Sequence, residues 1–260
     1  MWRMIYLILY KVLGYRYAVV LQNLSRSFPE RSYEEVNRLA DVFYRHFSGI
    51  FLEMALMLLA PAGFVKRRVQ VKNIDLLKHY HAQQRNVMIM LGHYGNWECL
   101  SVLPAHVDFD IHAVYQPLSN AFFNRVMRRL RSRFGMKLLP VDKAARHMLT
   151  ARNKAGAYIF VADQCPGKEA HTVDFLRQPT PVITGAERLA KTTDAVVLYA
   201  TVSKSTHSAS WEISFQLISD APGQLPPFAI TERFSRFLEE DIRRQPQYWL
   251  WTHRRWKNRS

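Results

Sequence analysis

Beyond Pro61 the chain settles into a rhythm in which short apolar runs alternate with longer stretches whose apolar side chains recur every three or four positions. Runs of that kind suit strands buried on both faces, and the helical period suits helices laid on a sheet. The predicted strands are Asn86 to Leu91, Ile111 to Tyr115, Lys137 to Leu139, Ala157 to Ala162, Ala195 to Ser203 and Trp211 to Leu217. The predicted helices are Trp97 to Ala105, Ala121 to Phe134, Ala144 to Lys154, Gly185 to Thr192 and Ile230 to Arg244. Such alternation marks βαβ units. No helical stretch separates the last two strands, and Ser205-Thr206-His207-Ser208 between them reads as a hairpin turn. The expected architecture is therefore α/β: a single domain over residues 1–260, with a mixed, mostly parallel central sheet flanked by helices.

Ahead of Pro61 helical patterns are read in two places. Two helices are expected from Ser32 to Ala60, the second running from Val42 to Ala60 and apolar nearly all round, with Glu53 as its single acid. A helix without a wide polar face is either buried or in contact with lipid. Residues 1–13 form an apolar run interrupted by Arg3 and Lys11 and closed by Gly14. Spanning a bilayer takes ~20 apolar residues, and no small-residue cleavage site follows, so a short helix lying in a membrane interface or packed on the domain is expected.

Composition narrows the partners more than the fold. The two cysteines, Cys99 and Cys165, are far apart, which excludes a disulfide framework and a cysteine-rich zinc module. No His-Glu-x-x-His motif is present, and neither a metal nor another cofactor is expected. A formal net charge of +15 calls for an anionic partner, be it nucleic acid, lipid headgroup or acidic protein. Near the C-terminus, Tyr248, Trp249, Trp251 and Trp256 stand beside Arg254, Arg255 and Lys257, as rings and cations do in interfacial anchors.

Chemistry concentrates in Gly92-His93-Tyr94-Gly95-Asn96-Trp97-Glu98, directly after an apolar strand. A glycine-flanked polar turn at the C-terminal end of a strand is where α/β folds place their sites. His93 is expected in the loop and Glu98 in the first turn of the next helix, which would fold the carboxylate back onto the imidazole. A carboxylate on one ring nitrogen fixes the tautomer and makes the other a better general base toward a hydroxyl. Gly-x-Ser-x-Gly is absent, so a serine nucleophile is not expected. Asp163 and Gln164 end another predicted strand at the same sheet edge, and Arg131 and Arg133 lie on a basic helix.

The Gly92–Glu98 block resembles that of the lipid A biosynthesis late acyltransferases, the lauroyl/myristoyl transferases, within the wider His-x4-Asp/Glu glycerolipid acyltransferases. Further segments match the same family in order: Arg16 with Asn23-Leu24 and Ser27-Phe28-Pro29-Glu30, then Arg131-Ser132-Arg133-Phe134-Gly135, Ala162-Asp163-Gln164, Thr184-Gly185-Ala186 and Trp251-Thr252-His253-Arg254-Arg255-Trp256-Lys257. The resemblance covers nearly the whole chain. It implies a glycerol-3-phosphate acyltransferase-like fold, and transfer of a fatty acyl group from an acyl carrier protein or coenzyme A thioester to a hydroxyl of a lipid A precursor. In that reading His93 is the general base and Glu98 orients it. Gly95, Asn96, Trp97, Arg131, Arg133, Asp163 and Gln164 contact the substrates, and backbone N–H groups of the Gly95-Asn96 turn, or an arginine, hold the oxyanion.

The partners implied are acidic acyl carrier protein, a phosphorylated glycolipid and an anionic membrane surface, at the cytoplasmic face of the bacterial inner membrane, with no nucleic acid. Two features depart from the family. Only residues 1–13 precede the opening segment where members carry a transmembrane helix, and Gln116 in Tyr115-Gln116-Pro117 stands where they commonly carry arginine. The alternatives are acylation of a glycerolipid or an amino-acid lipid, and a non-catalytic protein that binds membrane or nucleic acid through its basic surface.

Overall fold

The computed structural model describes residues 2–150, 155–165, 171–205 and 210–256. Helix α1 (Trp2–Tyr6) continues as a π-type turn over Leu7–Val12 and is followed by α2 (Tyr17–Ser27), α3 (Tyr33–Leu59), α4 (Ala62–Arg67) and strand β1 (Val69–Val71). Next come α5 (Asp75–Ala82), β2 (Val87–Leu91), a 3₁₀ helix (Trp97–His106), β3 (Ile111–Tyr115), α6 (Ala121–Ser132), β4 (Lys137–Pro140), α7 (Val141–Thr150) and β5 (Ala157–Val161). A small antiparallel hairpin, β6 (Thr172–Phe175) and β7 (Gln178–Pro181), precedes α8 (Gly185–Thr193), β8 (Val196–Lys204), β9 (Trp211–Ser219) and α9 (Ala229–Arg244).

The central sheet has the order β1-β9-β8-β2-β5-β3-β4, parallel at every pairing except β8 with β9. It is the mixed, mostly parallel sheet flanked by helices that the sequence rhythm predicts. Alternation along β2 shows why the strand runs are apolar throughout. Met88 and Met90 face one core layer, with α2, α3, α8 and α9, while Val87, Ile89 and Leu91 face a second layer with α5, the 3₁₀ helix and α6. Both faces are covered, so no polar position is left on the strand.

Several expectations are corrected. The stretch from Ser32 to Ala60 is one helix of 27 residues, not two. Ser32 and Glu35 start it with a reciprocal capping box, Gly49 sits where a side chain would meet open space, and nothing breaks the helix until Pro61. The segment after Trp97 is 3₁₀ and not α-helical, and it contains Pro104, which an α-helix interior disfavours. Three short strands went unread, β1, β6 and β7, each too brief for periodicity to register. The expected turn residues Thr206, His207 and Ser208, the end of the helix drawn to Lys154, and Lys257 lie outside the described residues.

The C-terminal aromatics are core and not surface anchors. Trp249, Trp251 and Trp256 are 2%, 0% and 6% exposed, and their indole N–H groups donate to Asp163, to the carbonyl of Pro246 and to Thr180. The chain's two ends close on each other here. Asn23 donates to the carbonyls of Trp251 and His253 at 2.9 and 3.0 Å, and Arg16 to that of Thr252 at 3.0 Å. Two segments quoted far apart in the resemblance are thus one tertiary contact.

The N-terminal helix divides its surface. Tyr6 and Tyr10 pack on α3, with the Tyr6 hydroxyl donating to Asp41 and the Tyr10 ring stacked on Tyr44 at 4.7 Å. Met4, Leu7, Ile8, Val12 and Leu13 remain exposed. Helix α3 is long and apolar enough to cross a membrane by length and composition, but it buries Phe43, Tyr44 and Ile50 against the domain.

Candidate active site

Strands β2 and β5 are parallel neighbours with Leu91 opposite Val161. Two residues past that pair, beyond the C-terminal end of each strand, stand His93 and Asp163. The register continues into the loops, and the side chains meet: His93 Nδ1 lies 2.6 Å from Asp163 Oδ1, and Asp163 Oδ2 accepts the His93 backbone N–H at 2.8 Å. Trp249 donates its indole N–H to the same Oδ2 at 2.9 Å. Burial works to raise the pKa of Asp163, but His93 and these donors outweigh it and hold the carboxyl down at about 2. Asp163 is therefore an anion at neutral pH, and it fixes the imidazole with Nδ1 as donor.

The second ring nitrogen faces outward. Gln164 Nε2 lies 3.3 Å from His93 Nε2, and an amide nitrogen can only donate, so Nε2 is the acceptor. The Trp97 ring meets the imidazole edge-on at 5.0 Å and forms one wall of the site. The His93 side chain keeps 17% of its surface exposed.

Glu98 does not reach His93. Its carboxylate takes a two-pronged grip from Arg131, whose Nε and Nη2 donate at 2.9 and 2.7 Å, and a third bond from the Trp97 indole at 3.0 Å. The 3₁₀ turn starting at Trp97 lays this carboxylate against α6, whereas the β5 register delivers Asp163 straight to the imidazole. The acid on His93 is Asp163, and the expected fold-back of Glu98 is replaced by an ion pair that ties the turn to α6.

The two glycines of the motif are demanded by close packing. A Cβ on Gly92 would come within 2.6 Å of Leu238, and one on Gly95 within 2.2 Å of the Val202 carbonyl at a φ of +61°. The Gly95 N–H donates to the carbonyl of Tyr248, and Leu250 N–H donates to that of His93, so the C-terminal segment straps the loop down. Gly95 is thereby taken out of the oxyanion role expected of it. Arg133 also lies elsewhere: its guanidinium donates to the carbonyls of Met57 and Ala60 at the end of α3, where a cation offsets the helix dipole.

Sequence reasoning missed the support that α3 gives from below. Glu53 accepts from Asn96 Nδ2 at 2.8 Å and from Trp211 Nε1 at 2.7 Å, and two turns earlier on the same face His46 hydrogen-bonds the backbone of Gly95. Burial, with Lys204 nearby, pushes the His46 ring down to about 3, so it is neutral. A lone acid in an apolar helix was the available signal, and only the fold names its partner. Asn96 itself is 1% exposed. It lines a narrow cleft of about 50 Å³, together with Cys99, Leu56, Met57, Phe64 and Val65.

Residues 7–258 match the family described as bacterial lipid A biosynthesis acyltransferase. Among individual proteins, the chain is similar to the lipid A biosynthesis palmitoleoyltransferase of Escherichia coli (strain K12), 23% identical over 251 residues that cover 94% of this chain and 79% of that one. It is similar at the same 23% identity and coverage to the lipid A biosynthesis acyltransferase of Shigella flexneri.

Proposed function

Because the chain belongs to the bacterial lipid A biosynthesis acyltransferases, and so to the O-acyltransferases, we propose that it moves a fatty acyl group from an acyl carrier protein thioester to a hydroxyl of a phosphorylated lipid A precursor, with His93 as base and Asp163 as the acid that orients it. The observation that carries this reading is the His93–Asp163 pair, which leaves Nε2 unprotonated and facing the open side of the site.

An acceptor hydroxyl displaces the Gln164 amide and gives its proton to Nε2 while its oxygen bonds to the thioester carbon. The imidazolium that forms is balanced by the Asp163 anion. The tetrahedral oxyanion falls to the N–H groups that open the 3₁₀ helix at Trp97 and Glu98, whose geometry leaves them without a carbonyl in their own helix. Collapse breaks the carbon–sulfur bond, and the thiolate takes the proton back from His93. No acyl-enzyme forms.

The Glu98–Arg131 pair holds the turn in place. The exposed apolar side chains of Met4, Leu7, Ile8, Val12 and Leu13, with Arg3 and Lys11 among them, suit peripheral attachment to an anionic bilayer, and in this reading the single acyltransferase domain works at the cytoplasmic face of the inner membrane. Incubating the purified protein with acyl carrier protein thioesters and a panel of lipid acceptors, then weighing the products, tests the assignment. Acylation of a glycerolipid or an amino-acid lipid in preference to a lipid A precursor would replace the acceptor, and no acylation of any acceptor would remove the reading.

A further inference from the structure

Helix α6 buries Leu130, holds Val126, Met127 and Arg131 half-buried against the domain, and turns its remaining face outward. Arg125, Arg128, Arg129 and Ser132 follow the spacing i, i+3, i+4, i+7, which places them in one stripe. All four are exposed, and no acidic group of the described residues pairs with the three arginines. The stripe forms one wall of an open trough of about 590 Å³, floored by Met136 and Leu138 beside and on β4, the strand that ends the sheet. At the head of the helix, Phe122 and Phe123 are 67% and 59% exposed.

We propose that this trough is the docking surface for the acyl donor's carrier protein, received through an acidic helix whose carboxylates meet Arg125, Arg128 and Arg129; the proposal rests on the reading that the donor is a carrier-protein thioester. Three features select that occupant. The charge is unbalanced and of one sign, which costs the free protein self-repulsion and draws an acidic partner. The surface is concave with an apolar floor and exposed rings at its head. A helix fits such a surface, with arginine and aromatic side chains supplying the anchors of a protein interface. A bilayer, in contrast, is met by convex apolar projections such as the N-terminal helix. The stripe also belongs to the helix whose Arg131 grips Glu98, so a carrier seated there stands beside the turn that bears His93.

The test is binding of fluorescently labelled acyl carrier protein to the full-length enzyme by anisotropy, comparing the wild type with Arg125→Glu/Arg128→Glu/Arg129→Glu and with the matching triple Lys variant. The Glu variant is expected to bind at least tenfold more weakly at low salt, with the difference shrinking as salt rises, while the Lys variant stays within a few-fold of wild type. Turnover of a small acyl thioester lacking the carrier, and sedimentation with phosphatidylglycerol vesicles, are expected to be the same in the wild type and both variants. Unchanged carrier binding in a folded Glu variant overturns the proposal. So does loss of vesicle binding or of small-thioester turnover with carrier binding intact, because the stripe then serves membrane or acceptor. A wild-type protein that binds the carrier but acylates no lipid A precursor would sink the proposed acceptor and leave the docking surface standing. One that acylates the precursor from coenzyme A thioesters without binding the carrier would do the reverse.

Discussion

Two acid–base pairs leave the same short loop and serve different ends. His93 meets Asp163, and five residues later Glu98 meets Arg131. Both acids are nearly buried, with side chains 5% and 4% exposed. The bases differ in what they can give up. A guanidinium stays protonated, and two of its N–H groups are spent on Glu98, so that pair can only hold. An imidazole anchored through one nitrogen keeps the other able to take and return a proton. Burial and charge alone would not separate a working pair from a supporting one; in the proposed mechanism what separates them is His93 Nε2, an acceptor held only by the side-chain amide of Gln164.

The sharpest way to break the comparison is His93→Ala. Removing the base should cut acyl transfer by about 10²–10⁴-fold with the fold intact by circular dichroism. Near-normal transfer from a folded variant would reduce His93 to a turn residue. Asp163→Ala should come next, with a loss of roughly 10²-fold from an imidazole no longer held in position. Since the two act as one unit, the double variant should be scarcely slower than His93→Ala alone. Multiplicative losses would show that Asp163 acts elsewhere.

The supporting pair should reveal itself in stability. Arg131→Met leaves Glu98 buried without its counter-charge and should cost about 3–5 kcal/mol in urea unfolding. Transfer by the fraction that stays folded should fall far less than in His93→Ala. Wild-type stability with abolished transfer would make Glu98–Arg131 the working pair and invert the comparison.

Acid titration separates them further. The Asp163 carboxyl is held at about 2, below an unfolded value of ~3.9, so its contribution is complete above ~pH 4 and drains away as pH falls toward 2. Thermal melts of wild type and Asp163→Asn should differ in their pH dependence over that window by about 2 kcal/mol. Parallel profiles would mean that the carboxyl is not held low. The smallest effect is expected from Glu53→Gln, about 1 kcal/mol of stability from weakened bonds to Asn96 and Trp211, with transfer reduced only modestly.

Much of this architecture was legible in the chain. Strands β2, β3, β5 and β8 are apolar runs and β9 alternates apolar with polar positions, and the predicted limits of all five lie within two residues of those observed. The capping residue Ser32 and the stop at Pro61 were equally readable, yet α3 was split because a charged and an apolar stretch of one helix look like two. The aromatic C-terminus misled for a related reason. A tryptophan beside an arginine reads the same whether its ring meets lipid or Thr180, and only packing decides.

The sequence by itself determined that a histidine in a glycine-flanked turn follows a buried strand, that an acid lies five residues on, and that another acid ends a second strand. These are local facts, set by hydrophobic period and by glycines that only close packing explains. Which acid serves the histidine was decided by tertiary structure alone. A carboxylate five residues away along the chain can point several ways, and a 3₁₀ turn sent Glu98 to α6. The 70 residues between His93 and Asp163 vanish once β2 and β5 pair in register, because hydrogen-bonded parallel strands bring equivalent positions side by side however long the connection between them.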